Sequence, residues 1–453
     1  MNVTRSAALL RVGNVTSIYD LPWLMLLGLM LFVPTTYKTL KVFLIAICLI
    51  QCLLTLVTDK KPQLKIHPTI LIWLAIMLAN GLFFVIRGGF NDAPGAMRVL
   101  TVVALWPILF VFLSQQLVRT TVLKKSIKWC VYSTIAICLY SVYFLLYEAR
   151  ILSSSMYFAI DMGQESTIKS TWIEFTINSL ASLLFLVPCL LAGVFVWKGY
   201  FSKAIRLISW FGLLLGSVIV LISGRRALQL VTALAPFIFL FFWFMLPKCE
   251  RQKNSKTLIR ISIFSGCFGL IFALLFVSFK FTFVEALALR FSEGFQFNAD
   301  VSATARMRQF IDLSTGWMEA PFFGHGWGSV AKGLVRDAQM PWAYELFYSA
   351  ALFQLGLFGF LIYAAGIGWI YFMGSQMVRG GGIYSAIMLP LLTGMTCFLI
   401  ANGTNPYLGK FDCMWVIFLP VACINSWLLQ NRNHNPETDS VKMKSPEPLC
   451  SPL

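Results

Sequence analysis

Apolar and polar residues alternate along this chain in long blocks. Mostly apolar runs of about 17 to 25 residues recur from end to end, which is the length an α-helix needs to cross a bilayer. Within such a span every backbone group must find its partner inside the segment, so helices are expected. The pattern predicts twelve membrane-spanning helices, at 21–37, 42–57, 70–86, 99–117, 130–147, 177–197, 207–223, 227–246, 259–279, 342–373, 383–402 and 413–429.

Composition agrees with the pattern. Of 453 residues, 58% are hydrophobic and only 12% are charged, which excludes an ordinary soluble enzyme. The eleven cysteines lie mostly inside apolar segments and form no Cys-x-x-Cys pair, so they indicate neither a metal site nor disulfides, and no cofactor is expected.

The net charge of +17 indicates orientation rather than nucleic-acid binding. The basic residues form short clusters between apolar runs, and most of them fall on the side that holds both termini. Because Lys and Arg are retained in the cytoplasm, both termini are expected to be cytoplasmic. We expect one all-α polytopic membrane domain over residues 1–429, with a large extracytoplasmic loop at about 280–340 that contains short helices. Residues 430–453 are rich in Pro, Ser and charge and are expected to be a disordered cytoplasmic tail.

Two arginines mark the boundary between the seventh and eighth runs. The sequence Ser223-Gly224-Arg225-Arg226 interrupts what would otherwise be one long helix, so a break is expected at Gly224. Guanidinium groups match phosphate oxygens geometrically, which makes Arg225 and Arg226 candidate anion ligands. Alternatively, both side chains extend to lipid headgroups and only mark the interface.

The large loop carries the next candidates. Apolar residues at helical spacing predict an amphipathic helix over 306–319, which presents Arg306 and Arg308. Pro321, Gly324, His325 and Gly326 follow, and glycines there permit a close approach of the backbone. A purely structural helix and turn would explain the same pattern.

Glu345 lies about one turn inside the apolar boundary of the tenth span. Partial desolvation tends to raise the pKa of a carboxyl group and makes it a better proton acceptor near neutral pH. The alternative is a carboxylate that favours the helix N-terminus.

Taken together, these motifs resemble the superfamily of O-antigen ligases and Wzy-type O-antigen polymerases, which are bacterial membrane glycosyltransferases. The resemblance rests on Arg225 beside the break, on Arg306 about fifteen residues before Pro321, Gly324 and Gly326, and on a polar residue eleven positions before Gly356. Glu345 occupies that polar position. Ligases of the superfamily usually have a His-Asn pair where this chain has Glu345 and Leu346, which favours a polymerase.

The resemblance implies a metal-independent enzyme of the bacterial inner membrane, with its active site on the periplasmic side. Its substrates would be a donor and an acceptor glycan, each linked to a polyprenyl diphosphate such as undecaprenyl diphosphate, and the product would be O-antigen or a similar surface polysaccharide. Arg225, Arg226, Arg306 and Arg308 would bind the diphosphate, with Glu345 as the catalytic base and His325 as the second candidate. The implied partners include the lipid bilayer, and the resemblance also allows a chain-length regulator. Nucleic acid is not an expected partner.

Two alternative functions remain open. One is an O-antigen ligase that transfers finished glycan to lipid A-core or to protein. The other is a flippase or carrier of lipid-linked oligosaccharides, although no predicted span has an ionisable residue near its middle, where an ion-coupled carrier usually needs one.

Overall fold

The computed structural model describes residues 18–58, 64–161, 163–169, 172–223, 225–253, 301–333 and 339–434. Thirteen helices of six residues or more and one β-hairpin lie in these ranges. The helices are α1 Leu21–Phe32, α2 Lys38–Thr58, α3 Pro68–Phe90, α4 Ala96–Leu117, α5 Thr120–Glu148, α6 Leu180–Val196, α7 Lys203–Ile222, α8 Arg226–Trp243, α9 Lys248–Lys253, α10 Val301–Glu319, α11 Phe347–Gly380, α12 Gly382–Asn402 and α13 Trp415–His434. The antiparallel hairpin consists of β1 Glu165–Lys169 and β2 Trp172–Thr176.

The all-α, multi-pass membrane class is confirmed. Eight of the described helices are long and apolar enough to cross a membrane, namely α2, α3, α4, α5, α7, α8, α11 and α12. Three shorter apolar helices, α1, α6 and α13, overlap three more predicted spans. The span predicted at 259–279 and the tail after residue 434 lie outside the described residues, so the count of twelve stays a prediction.

The core is built around α6. Every residue of this helix is buried, as expected for a segment that is hydrophobic on all sides. It packs against α7, α8 and α12, and α12 is itself 72% buried in its most apolar window. In α2 the corresponding share is only 22%, because its apolar side chains face outward, where a bilayer would surround them.

Contacts between loops define two ends of the bundle. At the terminal end, Asp20 pairs with Arg119 and with Lys125, whose Nζ is 2.8 Å from Asp20 Oδ2. The Glu250 carboxylate at this end accepts a hydrogen bond from the Tyr200 hydroxyl, and burial together with that neighbouring charge raises the pKa of Tyr200 to about 12. The opposite end, which we call the loop end, holds the described residues of the segments 149–179, 320–346 and 403–414.

Helix α11 is interrupted at Gly356, where φ is 61° and ψ is −175°. The interruption exposes backbone groups, and the loop after α10 satisfies them. The amides of His325 and Gly326 donate to the carbonyl oxygens of Phe353 and Gln354, at 3.1 and 2.8 Å. In the other direction, the amides of Leu357 and Phe358 donate to Pro321 and Phe322. Because unpaired backbone groups are costly inside a bundle, these hydrogen bonds hold the loop against the broken helix.

Glycine is required where this loop crosses its neighbours. A Cβ atom on Gly324, whose φ is +52°, would lie 2.4 Å from the Gly356 nitrogen. A Cβ on Gly326 would lie 2.2 Å from the Gly88 nitrogen, and Gly328 is similarly close to the start of α4. The glycine run is therefore explained by backbone packing, which was the structural alternative for this motif.

The predicted amphipathic helix over 306–319 is confirmed as α10. Its buried side carries Gln309 and Leu313, whereas Met307, Phe310, Ile311 and Met318 are exposed. The side of α10 that faces the bundle is therefore mixed in polarity, and several of its apolar side chains face outward, where lipid would be a favourable environment.

The predicted start of the tenth span at Trp342 is wrong, because α11 begins at Phe347. The side-chain oxygen Gln309 Oε1 accepts hydrogen bonds from the amides of Glu345 and Leu346, at 3.0 and 3.1 Å. Those amides are thus taken by a side chain of α10 instead of opening a helix. The hairpin β1–β2 was also not predicted.

We expect Gly324→Ala to destabilise the protein strongly. A left-handed backbone costs a residue with a Cβ about 1–2 kcal/mol, and overpacking against Gly356 adds about 1–3 kcal/mol. Gly89→Ala is the matched control, since a Cβ there meets nothing within 4 Å. Thermal unfolding of the purified protein, followed by tryptophan fluorescence, is the measurement; equal melting temperatures for the two variants would contradict the packing role.

Candidate functional site

The break between α7 and α8 occurs where the sequence predicted it. Helix α7 ends at Ile222 and α8 begins at Arg226, with Arg225 in an extended conformation between them. Ser223 is buried, and its Oγ accepts a hydrogen bond from the Arg225 amide at 3.4 Å. Gly224 itself lies outside the described residues. Arg225 therefore lies at the start of α8, at the loop end.

Arg225 is held by two elements that are distant in sequence. Its Nε donates to the hydroxyl of Thr176, the last residue of β2, at 2.8 Å. It also donates a hydrogen bond to the phenol of Tyr407, in the loop between α12 and α13. The β-hairpin and this loop therefore fix the guanidinium on both sides.

The Tyr407 phenol is influenced by both Arg225 and Arg306. Burial raises the pKa of the Tyr407 phenol, whereas the charge and hydrogen bond of Arg225 and the charge of Arg306 oppose that shift. Both guanidinium groups thus act on one buried phenol, although α8 and α10 are separate elements. Arg225 and Arg306 therefore both lie near Tyr407 at the loop end, and their convergence on one diphosphate stays a prediction.

Arg306 also has an anionic partner. Its Nε lies 3.0 Å from Glu345 Oε2, and the two side chains are 35% and 15% exposed. Glu345 is therefore partly desolvated, as predicted, but it is paired with a cation, which the sequence did not indicate. Gln309 lies one turn further along α10 and accepts a hydrogen bond from the Glu345 amide. One face of α10 therefore contacts both the side chain and the backbone of Glu345.

The remaining predicted arginines are placed differently. Arg226 is the first residue of α8 and is half-buried. Arg308 is exposed, two positions after Arg306 and so about 200° around the helix. The structure does not bring Arg308 to the face of α10 that meets Glu345.

His325 participates in the packing of the glycine-rich loop. Its Nε2 lies 2.8 Å from the Gly316 carbonyl oxygen, so Nε2 carries the proton and donates it. The ring also lies against Phe353, with a centroid distance of 4.7 Å. These contacts favour the turn interpretation of His325 over a catalytic one.

The loop that carries Tyr407 is anchored by a buried ion pair. Lys41 Nζ is 2.6 Å from Asp412 Oδ1, and the side chains are 4% and 11% exposed. Asp412 also accepts a hydrogen bond from the Thr35 amide at 2.9 Å, and the Asn402 side chain accepts one from the Leu408 amide at 3.0 Å. These contacts connect the loop to α2 and α12, which keeps Tyr407 close to Arg225.

A site with these groups can bind an anion and accept a proton. Two guanidinium groups and a phenol offer hydrogen-bond donors, and Glu345 offers a carboxylate beside them. Within the described ranges, no group of three or more His, Cys, Asp or Glu residues is arranged to hold a metal ion. Thr176, Tyr407 and Gln309 were missed from sequence; the β-branched and aromatic residues in 165–176 were the one local signal for the hairpin that presents Thr176.

A comparison with models of known protein families finds no match for this chain, and a comparison with curated proteins finds none either.

We expect Asp412→Ala to lower the free energy of unfolding by about 3–5 kcal/mol, because it leaves the Lys41 ammonium buried without its partner. Lys41→Met/Asp412→Leu should cost less than the sum of the single changes. The control is Lys332→Ala, whose pair with Glu319 is 3.6 Å long and whose side chain is 90% exposed. Denaturant titration in detergent would measure Asp412→Ala, Lys332→Ala, the double variant and its two single changes. Additive effects of Lys41→Met and Asp412→Leu would mean that the two groups are not coupled.

Proposed function

We propose that this chain is a membrane glycosyltransferase that joins polyprenyl-diphosphate-linked oligosaccharide repeat units into a surface polysaccharide. The observation that carries the proposal is the 3.0 Å ion pair between Arg306 and Glu345, with Arg225 held by Thr176 at the same end of the bundle. An anion site next to a carboxylate is what glycosyl transfer from a diphosphate needs, since the leaving group is anionic and the acceptor is a hydroxyl. The resemblance to O-antigen polymerases, carried by the same residues, points to the same reaction.

In the proposed reaction, the acceptor hydroxyl attacks the anomeric carbon of the donor sugar. The new C–O bond forms while the bond from that carbon to the diphosphate breaks, and the diphosphate leaves with the electron pair. Arg225 and Arg306 neutralise the charge that develops on the leaving oxygens. Tyr407 orients Arg225 and contributes a further polar group in the same place.

In this proposal, Glu345 is the base that accepts the proton of the acceptor hydroxyl. Arg306 orients the carboxylate through the 3.0 Å ion pair, and the Gln309 contact to its backbone fixes its position. A guanidinium shared between the base and the leaving diphosphate would bring the two reacting groups to one site. His325, whose ring is already engaged with Gly316 and Phe353, is the second candidate.

The proposed setting is the bacterial inner membrane, with the loop end on the periplasmic side. The sequence pattern assigns most of the basic residues of this chain, whose net charge is +17, to the terminal end, which supports a cytoplasmic location for that end. Lipid-linked glycans are the proposed partners, and a chain-length regulator is a further one.

We expect Arg225→Ala and Arg306→Ala each to abolish long-chain polysaccharide. Loss of one such donor costs about 100- to 1,000-fold in turnover, or about 2.7–4 kcal/mol of transition-state stabilisation. The measurement is the length distribution of lipopolysaccharide on a gel, in a deletion strain that expresses each variant at the level of the unchanged protein. Lys332→Ala is the control, because this exposed lysine lies at the same end of the bundle and should leave the ladder intact.

The deletion strain also separates the candidate functions. Loss of a polymerase leaves acceptors that carry one repeat unit, whereas loss of a ligase leaves bare acceptors. Loss of a carrier traps the lipid-linked unit on the cytoplasmic leaflet. A full ladder in both arginine variants would contradict the diphosphate-binding role.

We expect Glu345→Gln to remove polymer while the fold is retained, because glutamine preserves the size of the side chain but accepts no proton at neutral pH. The same gel and a thermal unfolding curve are the measurements. A full ladder from this variant would show that Glu345 is not the base.

A further inference from the structure

A large cavity lies beside the arginine site, between α2, α3, α4 and α11. Its volume is about 870 Å³, in the upper part of the range that encloses small-molecule ligands. The part of its wall that comes from α4 extends from Arg98 to Leu109, about 16 Å along the helix. Here α4 contains a π-helical turn, Thr101–Leu105, followed by Pro107, which lacks the amide of a regular helix.

The cavity is apolar within the bundle and cationic at the loop end. Its deeper wall is formed by side chains such as Trp73, Met77, Ile367 and Phe418. Lys38, Arg98 and Lys410 line it at the loop end, and all three are exposed. The Arg98 guanidinium also lies over Trp106, 5.9 Å from the ring centroid.

These three cations differ from Lys41, which also lines the cavity. The Lys41 charge is compensated by Asp412. Lys38, Arg98 and Lys410 form no ion pair with any carboxylate of the described residues. A cavity with an apolar interior, and with three cations at its mouth that pair with no described carboxylate, fits a ligand with a long hydrocarbon chain and an anionic head.

A thin wall separates this cavity from the arginine site. In the segment before α11, Tyr344 and Phe347 line the cavity, whereas Glu345 pairs with Arg306. The second part of the wall is the loop after α12, where Leu408 and Lys410 line the cavity and Tyr407 contacts Arg225. Neither Arg225 nor Arg306 belongs to the cavity lining. The cationic cavity and the arginine site therefore share a wall that is about one chain thick.

We infer that the cavity binds the acceptor substrate of the polymerase, with its polyprenyl chain among the apolar side chains and its diphosphate at Lys38, Arg98 and Lys410. This inference rests on the proposed function, because a polymerase must hold two lipid-linked glycans at once. Their diphosphates repel each other, and separate compartments keep them apart. Glu345, in the shared wall, is then positioned between the two sugars.

The assignment of donor and acceptor follows from charge development. The donor diphosphate gains charge as its bond to sugar breaks, so it needs groups that bind more tightly in the transition state. The two guanidinium groups of Arg225 and Arg306 suit that role. The acceptor diphosphate does not react, and dispersed cations at the cavity mouth are sufficient to hold it.

Binding stoichiometry tests the inference directly. Native mass spectrometry of the purified full chain with undecaprenyl diphosphate should detect two bound equivalents. Lys38→Ala/Arg98→Ala/Lys410→Ala should weaken one of them by about tenfold or more, since charge-assisted hydrogen bonds are lost. Arg225→Ala/Arg306→Ala should remove the other, all five changes together should remove both, and Lys332→Ala should retain both.

A variant with its charges intact tests the lipid chain. Val102, which lines the cavity at the π-helical turn, is replaced by tryptophan to fill it. Val102→Trp should lose the same equivalent as the triple variant. If only one equivalent binds, and both the triple variant and the double arginine variant remove it, the protein has a single continuous site. That result would overturn the inference.

Two further outcomes would also overturn it. The triple variant would retain both equivalents if its lysines and arginine play no part. Phosphatidylglycerol would displace the cavity equivalent at a similar concentration if the cavity accepts any anionic phospholipid. Failure of the proposed function would be a different result. It would appear as a full polysaccharide ladder in the Arg225→Ala and Arg306→Ala strains, however many equivalents of undecaprenyl diphosphate the protein binds.

Discussion

Backbone hydrogen bonding at the interruption of α11 constrains the rest of the loop end. A helix inside an apolar bundle that breaks at Gly356 exposes carbonyl and amide groups that have no water to pair with. The segment after α10 satisfies them in both directions, through Gly326 on one half of α11 and Pro321 on the other. This fixes the end of α10 and, through the helix, the position of Arg306. The glycines of the segment are required because each one crosses another backbone within contact distance.

Several independent elements then meet at one place. Arg225 comes from the break between α7 and α8, Arg306 from α10, and Glu345 from the segment before α11. Tyr407 comes from a loop that the buried Lys41–Asp412 pair attaches to α2. A polar cluster of this kind is costly in an apolar protein unless every member has a partner. The hydrogen bonds that Glu345 donates to Gln309 Oε1 and that Arg225 donates to the Thr176 hydroxyl supply part of that requirement. These contacts hold the side chains of the proposed site in place.

The sequence predicts local features and misses those that depend on distant contacts. Apolar runs of bilayer length locate the helices, and helical spacing locates α10, because both patterns are complete within a short window. Arg225 and Arg306 could be recognised because charged residues are rare and marked in such a chain. Thr176 and Tyr407 could not, since their roles depend on partners from other elements, and the Lys41–Asp412 pair joins residues 371 positions apart. The start of α11 was misplaced for the same reason: a side chain of α10 captures the amides that would have begun the helix.

The difference in environment between α6 and α2 has a consequence for how freely each can vary. A side chain in α6 meets other protein atoms on every side, so a replacement must preserve volume and shape. Much of α2 faces outward, where fluid acyl chains adapt to any apolar outline and only hydrophobicity must be kept. Random mutagenesis of this protein would therefore find tolerated substitutions concentrated on its perimeter, with its central helix nearly intolerant of any change in side-chain size.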